Sequence, residues 1–410
     1  MSPHLAPEPR PKRTLIICYN TALYVVKFRM NLIAALQARG YRVVVAAPTD
    51  QAVPALERAG AVFEHVAMSA YGMGPVENLR LVGSLTRLIR RHRPAALLNF
   101  TIKPNIFASL AGLVAGTPAV NNVAGAGRAF GLENRLIRAT IMLLMRTAFT
   151  GAHTVFFQNA EDHRDFVSRG LVPERKAARL PGSGVDLARF APSEPPEGAT
   201  VFLFVGRLLT EKGVNEFLEA GRRLRAEGAR ARFRLVGELD DDDGYVDRAA
   251  FADAMGAEGF EYLGAVPPAE MPRLVAASCC LVLPSYYREG VPRALLEACA
   301  AARPIITTDN VGCRDVVEDG VNGFRVPVRD AGALADAMRR FVDAPPAERL
   351  RMGAAGRAKV EAEFDERTVI SAYLAVLDDI EAADARRRAA RGRLAPVTAG
   401  ARADRAADLR

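Results

Sequence analysis

The sequence predicts an α/β protein built from two open parallel sheets. Short apolar segments alternate with helical patterns, and this alternation begins at residues 14–18 and begins again at 200–205. Repeated strand–helix units of this kind form parallel sheets with helices on both faces, and they bind ligands at the carboxyl ends of the strands. The chain has 410 residues, which is too long for one hydrophobic core, so we expect two domains.

The strands are predicted from short apolar runs that are bounded by turn signals. In the N-terminal half, a helical pattern ending at Gly40 connects the first two strands, and Pro94 stops an Arg-rich amphipathic helix before the next strand. A further helix at 135–150 is strongly apolar, which fits either core packing or a helix at a membrane interface. The predicted strands are 14–18, 43–47, 95–100, 154–157, 200–205, 232–236, 280–284 and 304–308.

The composition places the domain boundary at residues 191–199, where the sequence is rich in Pro and Glu. The N-terminal domain is then 14–190 and the C-terminal domain is 200–364. A last helix at 365–382 is expected to cross back toward the N-terminal domain. Two terminal segments lack an apolar pattern and are expected to be disordered: residues 1–13 and 383–410.

The net charge of +8 is unevenly distributed along the chain. Residues 1–185 contain 23 Lys and Arg against 10 Asp and Glu, a net charge of +13, which leaves −5 for the remainder. A basic N-terminal half fits a surface for anionic lipid or a phosphate-bearing partner, and it equally fits Arg-rich helix faces in water. Nucleic acid is a poorer fit, because no basic run is interleaved with aromatic residues.

The cysteines and histidines indicate neither a disulfide framework nor a metal site. Five cysteines show no paired spacing, and five histidines are dispersed. A run of four aspartates at 240–243 is interpreted as a solvated loop, since no second acidic cluster accompanies it. No signal peptide and no apolar run of membrane-spanning length is visible. We therefore expect a cytoplasmic protein, peripherally associated with the inner face of the cell membrane, that needs no metal or other cofactor.

The strongest functional pattern is the stretch around Glu289 and Glu297, which follows a buried apolar strand. Pro292 suits the first position of a helix, which places Glu289 and Gly290 in the turn before it. Glu297 then lies two turns into the helix, and both carboxylates border one cleft. A helix N-terminus at a strand's carboxyl end binds anions, and Gly290 lets its backbone approach a ligand closely. This arrangement points to a ligand with hydroxyls and phosphates, such as a nucleotide sugar.

A second anion-binding pattern opens the C-terminal half. Strand 200–205 runs into Gly206 and Arg207, and Lys212 follows shortly before the next helix begins. Arg offers a planar fork for phosphate oxygens and Lys offers a point charge. Both cations therefore suit a phosphate-bearing ligand at the carboxyl end of this strand.

Loops of the N-terminal half supply further candidates because they also follow strands. Asn20 lies in the loop after the first strand, while Lys103 and Asn105 directly follow a later one. Gly125 and Gly127 form a Gly-x-Gly after the next strand, but the third glycine of a dinucleotide-binding loop is missing. This loop is equally well interpreted as a flexible segment that enters the cleft.

Taken together, these motifs resemble the retaining glycosyltransferases of family 4, which have the GT-B fold of two Rossmann-like domains facing across a cleft. The resemblance covers about residues 14–380. Its motifs are Gly206-Arg207, Lys212-Gly213, Gly264-x-Val266, Pro284-Ser285, and Glu289 and Glu297 with seven residues between them.

A second set of segments resembles one branch of this family. Members of the branch extend polyprenyl-diphosphate-linked sugars in bacterial surface-polysaccharide or glycan assembly. They are similar to the N-acetylgalactosaminyl transferase of bacterial N-glycosylation and to capsule and O-antigen transferases. The segments are 101–105, 121–125, 158–159 and 182–186.

The resemblance implies catalytic roles for three residues and therefore an enzyme. Arg207 and Lys212 would neutralise the diphosphate of a nucleotide-sugar donor, expected to be a UDP sugar. Glu289 would contact the hydroxyls of the donor sugar. The implied reaction moves a hexose or N-acetylhexosamine to a lipid-linked saccharide acceptor and retains the anomeric configuration.

The resemblance also implies a set of donor-binding residues. The amides of Gly290 and Val291 would contact the donor phosphate, and Glu297 would hold the ribose. Gly206 and Val266 belong to the matching motifs and complete the implied donor site.

Two positions depart from the pattern of the family. Asn20-Thr21 stands where many members have a Gly-Gly loop, and Ala124 stands where many have a His. Alanine offers no imidazole, so Lys103 and Asn105 become candidates for support of the reaction from the N-terminal domain.

Two other functions remain open from the sequence alone. A GT-B nucleotide-sugar epimerase would change the donor sugar without any acceptor. A non-catalytic scaffold of a polysaccharide assembly complex would not need the cations and carboxylates of the donor site. A Rossmann dehydrogenase is disfavoured because the expected glycine motif after the first strand is absent.

Overall fold

Each half of the chain folds around its own parallel sheet, which confirms the predicted α/β class with two sheets. The computed structural model describes residues 13–68, 74–125, 134–239, 244–246 and 248–393. Two features singled out in the sequence, Gly127 and the aspartate run 240–243, lie outside the described residues.

The N-terminal sheet consists of seven strands that all pair in parallel. Its strands are β1 (Thr14–Cys18), β2 (Arg42–Ala47), β3 (Val62–His65), β4 (Ala96–Phe100), β5 (Ala119–Val123), β6 (Thr154–Phe157) and β7 (Ala177–Arg179). They lie in the order β3-β2-β1-β4-β5-β6-β7. β1, β4 and β5 are buried along their whole length, as expected for strands covered by helices on both faces.

The helices of the N-terminal half divide between the two faces of this sheet. They are α1 (Ala22–Phe28), α2 (Met30–Ala38), α3 (Val53–Arg58), α4 (Pro75–His92), α5 (Ile102–Ala115), α6 (Arg135–Gly151) and α7 (Ala160–Ser168). One apolar core holds α4 to α7, and a separate core on the opposite face holds α1 to α3. The apolar helix predicted at 135–150 is therefore packed on the sheet along one side only.

The C-terminal sheet has six parallel strands around a third core. Its strands are β8 (Thr200–Val205), β9 (Ala231–Val236), β10 (Phe260–Tyr262), β11 (Cys280–Leu283), β12 (Ile305–Thr308) and β13 (Gly323–Val326). They lie in the order β10-β9-β8-β11-β12-β13. The helices that follow them are α8 (Val214–Ala226), α9 (Arg248–Gly256), α10 (Met271–Ala276), α11 (Arg293–Ala300), α12 (Ala331–Asp343) and α13 (Pro346–Glu363).

The strand order fixes where ligands bind. The chain reverses its direction of winding between β1 and β4 in the first sheet and between β8 and β11 in the second. Ligands of such sheets bind outside the carboxyl ends of the strands at this switch point. In the second sheet, that position brings Lys212, in the loop after β8, together with Glu289, after β11.

The last helix joins the two domains. α14 (Glu366–Arg393) leaves the C-terminal domain and buries Tyr373 in the core shared with α1 to α3. The Tyr373 ring contacts Phe156 at a centroid distance of 5.1 Å, and its hydroxyl accepts a hydrogen bond of 2.8 Å from Asn122.

The end of α14 differs from the prediction. The helix continues to Arg393, so residues 383–393 are helical and were wrongly expected to be disordered. Their alanines and arginines have high helix propensity, which favours a helix even where the sequence has no apolar period. Residues 1–12 and 394–410 lie outside the described parts of the chain.

The segment predicted as a linker, 191–199, lies between the two sheets and is fixed to the C-terminal one. Arg303, whose side chain is buried, donates hydrogen bonds of 2.7 Å to the carbonyl and 2.7 Å to the hydroxyl of Ser193, and one of 2.9 Å to the carbonyl of Glu194. These bonds hold the start of the segment in one position.

Within the described ranges, no helix combines the length and apolar character needed to cross a membrane.

Candidate functional site

The candidate site lies where the carboxyl edges of the two sheets meet. Gly125, just after β5, rests against the backbone of Arg288 to Gly290, just after β11. A Cβ atom on Gly125 would lie 2.6 Å from the Gly290 nitrogen and 2.8 Å from the Arg288 carbonyl oxygen. Gly125 also has a φ of 98°, which disfavours any side chain. The two domains therefore touch at the loop that the sequence singled out as functional.

Lys212 and Glu289 form an ion pair inside this site. Lys212 ends a short 3₁₀ turn after β8, and its Nζ contacts the Glu289 Oε1 atom. Their side chains are only 15% and 12% exposed, so water screens the pair poorly. Ser285 adds a hydrogen bond of 3.1 Å to the same carboxylate oxygen, and the Tyr287 ring lies 5.5 Å from the Lys212 ammonium.

Two glycines bring the loops of this site close together. A Cβ atom on Gly213, directly after Lys212, would overlap the carbonyl of Pro284 at the end of β11. A Cβ atom on Gly237, at the end of β9, would overlap the carbonyl of Gly206. Both positions therefore require glycine, and they set the backbone that carries Arg207 and Lys212. Arg207 itself is half-buried in the loop after β8.

Gln158 accepts a hydrogen bond from a backbone amide, that of Val291, which the resemblance assigned to the donor phosphate. The Val291 N–H donates to Gln158 Oε1 over 3.3 Å. Gln158 in turn donates from Nε2 to Asn122 Oδ1 over 3.1 Å and to the Ser183 hydroxyl over 3.2 Å. In this structure the amide at the head of α11 is thus satisfied by the N-terminal domain. Gln158 follows β6 directly and belongs to the segment 158–159 that resembles the branch of the family, but the sequence did not predict this contact with the second domain.

Charged contacts reinforce the same junction. Arg288 donates to Asp162 Oδ1 over 2.8 Å and to Asp165 Oδ2 over 2.6 Å, both on α7. Asn159 caps α7 and donates to the carbonyl of Glu289 over 3.3 Å. Because Asp162 is fully buried, losing Arg288 would remove a charged partner from a carboxylate in the interior.

Glu297 lies on α11, and its side chain is only 14% exposed. Burial raises its pKa, and the nearby positive charges of Arg293, Arg189 and Lys27 oppose that shift. Arg293 Nε donates to Glu297 Oε1 over 2.9 Å. Lys27 lies on α1, and burial lowers its pKa while Glu238 and Glu297 oppose the change. The charges of Lys27 in the first domain and Glu297 in the second therefore influence one another.

The structure places Asn105 differently from its predicted role. Its side chain is completely buried, with Nδ2 donating to the Asn122 carbonyl over 2.8 Å and Oδ1 accepting from the Asn122 N–H over 3.3 Å. Both amide atoms are used to fix the end of β5, so Asn105 does not line the cleft. Lys103 forms an ion pair of 3.4 Å with Glu77 at the head of α4.

The remaining candidates lie at the edges of the site. Asn20 follows β1, and its side-chain oxygen is buried with no hydrogen-bond partner among the described residues. Val266 lies in the loop after β10 and packs partly against the core. Gly264 accepts a hydrogen bond of 2.9 Å from the Gly237 N–H, which ties this loop to the site. In the described ranges, no cluster of three or more His, Cys, Asp or Glu side chains has the arrangement of a metal site.

Two family models match the two halves of the chain. Residues 25–202 match the glycosyl transferase 4-like domain, and residues 187–359 match the glycosyl transferases group 1 family. The two matches meet near the predicted linker and together cover both sheets.

Two curated relatives have matching sequences. The chain is 27% identical over 374 residues to the N,N'-diacetylbacillosaminyl-diphospho-undecaprenol alpha-1,3-N-acetylgalactosaminyltransferase of Campylobacter jejuni, covering 87% of this chain and 96% of that protein. It is 29% identical over 181 residues to the amylovoran biosynthesis glycosyltransferase AmsK of Erwinia amylovora. The second match spans 43% of this chain and 44% of AmsK.

A solved structure shares the arrangement of both domains. Anabaena Alr3699/HepE, crystallised in complex with UDP and glucose, superposes with a TM-score of 0.72 over 90% of this chain and 100% of its own. The two sequences are 17% identical, so the likeness concerns the fold.

The contact at Gly125 can be tested with a matched pair of substitutions. Gly125→Ala and Gly116→Ala both place an alanine at a positive φ, but a Cβ atom on Gly116 meets nothing within 4 Å. We expect Gly125→Ala to lower the midpoint of thermal unfolding more than Gly116→Ala, and to increase the radius of gyration in small-angle scattering. Equal effects of the two substitutions on both quantities would contradict the domain contact.

Proposed function

Because this chain belongs to the glycosyltransferases of the GT-B fold, we propose that it moves a hexose or N-acetylhexosamine from a nucleotide diphosphate sugar to a lipid-linked saccharide acceptor. The proposed reaction retains the anomeric configuration of the transferred sugar. The observation that carries the proposal is the buried Lys212–Glu289 pair at the head of α11. A cation and a carboxylate at that position match the two ends of a diphosphate sugar.

Lys212 and Arg207 act on the leaving group. As the bond between sugar and diphosphate breaks, negative charge develops on the departing phosphate oxygen. Fixed cations in a poorly solvated site stabilise that charge without reorganising, and the N-terminus of α11 adds its partial positive charge. This set of donors accounts for the charge without a metal ion, so we propose metal-independent transfer.

Glu289 and Glu297 bind the two sugars of the donor. Glu289 accepts hydrogen bonds from hydroxyls of the transferred sugar, and in the free protein Lys212 and Ser285 take the place of those hydroxyls. Glu297 accepts hydrogen bonds from the ribose. The acceptor hydroxyl attacks from the face that the diphosphate leaves, and a phosphate oxygen takes its proton.

Donor binding requires a change at Gln158. Since the Val291 N–H donates to Gln158 in the free protein, a donor phosphate gains this amide only after the Gln158 carbonyl withdraws. Gln158 keeps hydrogen bonds to Asn122 and Ser183 of its own domain, so its withdrawal is achieved by separation of the two domains. We infer that the donor enters when the cleft opens.

The nature of the acceptor is proposed from the relatives. The Campylobacter jejuni relative is named for transfer to a diphospho-undecaprenol-linked sugar, and this chain covers nearly all of its length. AmsK is named for the biosynthesis of a polysaccharide, amylovoran. We propose a polyprenyl-diphosphate-linked acceptor in the synthesis of a surface polysaccharide or glycan, with UDP as the first nucleotide to test.

Helices α4, α5 and α6 present the surface that we propose for membrane contact, here called the α4–α6 face. Seven of the ten exposed large apolar side chains in the described ranges lie on these three helices. The seven are Val76, Leu79, Leu113, Val114, Leu136, Ile137 and Leu143. This concentration on one side of one domain is what a lipid-facing surface requires.

The charge of the same region favours anionic lipid. Residues 65–160 contain ten Lys and Arg against two Asp and Glu, and this net charge of +8 equals that of the whole chain. On α6, the hydroxyls of Thr140 and Thr147 donate to the carbonyls of Leu136 and Leu143 over 2.9 and 3.0 Å. Both threonines therefore have their hydroxyl protons satisfied within the helix, which lowers the cost of contact with lipid. Peripheral attachment to the inner face of the cell membrane would place the cleft beside a lipid-linked acceptor.

Removing either partner of the central ion pair tests the proposed reaction. We expect Lys212→Ala or Glu289→Ala to lower the rate of transfer from a nucleotide sugar by about 10²- to 10³-fold, because each removes a group that stabilises the transition state. Lys359→Ala is a suitable control, since Lys359 forms its ion pairs with Glu318 and Glu363 away from the cleft.

The assay measures sugar transferred to a lipid-linked acceptor, with circular dichroism to show that each variant is folded. Near-normal turnover in both site variants would contradict the assigned roles. Conversion of the donor sugar in the absence of acceptor would instead indicate an epimerase.

The α4–α6 face is tested by placing charges on α6. We expect the double change Leu136→Asp and Leu143→Asp to weaken co-sedimentation with phosphatidylglycerol vesicles by about tenfold or more, since each leucine would otherwise be buried in lipid. Leu350→Asp, at an exposed leucine of the other domain, should bind like the wild type. Salt should weaken wild-type binding. Full binding by the double variant, or binding insensitive to salt, would contradict the proposal.

A further inference from the structure

A buried arginine lies at the junction of the domains with no carboxylate beside it. Arg29 separates α1 from α2 and is only 3% exposed. Its guanidinium lies 4.2 Å from the centre of the Phe100 ring, and Nη2 donates to the Ser183 hydroxyl over 3.3 Å. Among the described residues, no Asp or Glu lies within ion-pair distance of it, and its Nε has no hydrogen-bond partner.

An unpaired buried cation is expensive to maintain. Desolvation of a charge is unfavourable unless an opposite charge or strong acceptors compensate for it. Arg29 caps the C-terminus of α1 as well as the N-terminus of α2, so the partial charges of the two helix ends offset one another and leave the cost of desolvation. A bound anion would relieve that cost.

A second arginine approaches the same place from the other domain. Arg293, the first residue of α11, lies over the ring of Phe28, the neighbour of Arg29, at 5.4 Å. Its side chain is 10% exposed, and its Nη1 is buried without a partner. Burial raises the pKa of Tyr19, while a hydrogen bond from Arg29 and the positive charges of Arg29 and Arg293 oppose that rise.

Hydroxyl groups around the two arginines add unused donors. The Ser183 oxygen accepts from Arg29 and from Gln158, and the Tyr373 oxygen accepts from Asn122. In the described ranges, neither hydroxyl donates its own proton to an acceptor. Arg29 Nε, Arg293 Nη1 and these two hydroxyl protons are therefore donors that an anion could use.

We propose that Arg29 and Arg293 together bind a phosphate group of a substrate between the two domains. The proposal rests on the function proposed above, and it adds two residues to which the resemblance assigned no role. A diphosphate has two possible sources in that reaction, namely the nucleotide-sugar donor and the prenyl-diphosphate acceptor. Each arginine comes from a different domain, so the anion also draws the cleft closed.

Binding of inorganic pyrophosphate to the full-length protein, measured by calorimetric titration, tests this site. We expect Arg29→Gln to weaken at least one class of pyrophosphate site by about tenfold or more, because it removes a charged hydrogen-bonding group. Arg29→Lys should recover part of the loss. Arg314→Gln is the matched control, since Arg314 also bridges the domains but is paired with Glu161 over 3.2 Å.

A comparison with Lys212→Ala distinguishes the two sources. If Arg29→Gln and Lys212→Ala remove two independent pyrophosphate sites, the arginines hold the acceptor, and farnesyl diphosphate should lose affinity while UDP keeps it. If both changes weaken one shared site and UDP binding falls with it, the arginines hold the donor. Either result supports the anion site.

Pyrophosphate binding by Arg29→Gln that equals the wild type would overturn the proposal. That result is independent of Lys212→Ala, whose lack of effect would count against the donor site alone. If Arg29→Gln does not fold, Arg293→Gln takes its place in the same titration, and unchanged binding there is equally contradictory. A structural role for Arg29 predicts loss of thermal stability without loss of pyrophosphate affinity.

Discussion

The contact between the head of α11 and the end of the first sheet is the constraint on which the rest of the site depends. Gly290 fits against Ala124 and Gln158 only because it has no side chain, and Gly125 fits against Gly290 for the same reason. Because of this contact, the surroundings of the Glu289–Gly290 turn in the second domain depend on the position of the first domain. Opening and closing of the cleft therefore changes the surroundings of the backbone amides that we assign to the donor.

In the free protein, the groups that we assign to ligand binding form hydrogen bonds with other groups of the protein. Lys212 and Ser285 donate to the Glu289 carboxylate, and Gln158 accepts from the Val291 N–H. Each of these bonds resembles one that a sugar hydroxyl or a phosphate would make, so binding exchanges similar interactions rather than filling unsatisfied ones. Arg29 is the exception, because no carboxylate in the described ranges lies beside it. The same charges that favour anionic ligands thus lower the stability of the unliganded protein, a cost common at functional sites.

Most of the structural features that could be predicted from the sequence follow from local patterns of residues. The strands, the turn at Glu289 and the inward position of Glu297 follow from apolar runs, a proline and helical spacing, which are local features. Asn105 was wrongly placed in the cleft because its position after a strand does not reveal that its amide turns back to β5. The role of Gln158 and the position of Arg29 were not predicted because their partners are far away in the sequence. The length of α14 was underestimated because its exposed end has helix propensity without an apolar face.

Hydrogen–deuterium exchange of the full-length protein, with and without a saturating nucleoside diphosphate, tests the central claim most directly. A panel of UDP, GDP and ADP identifies the nucleotide that binds. The account predicts that this nucleotide slows exchange in residues 205–213 and 285–297, which hold the two cations and both carboxylates. Slower exchange confined to the N-terminal sheet, with no change in these two segments, would contradict it.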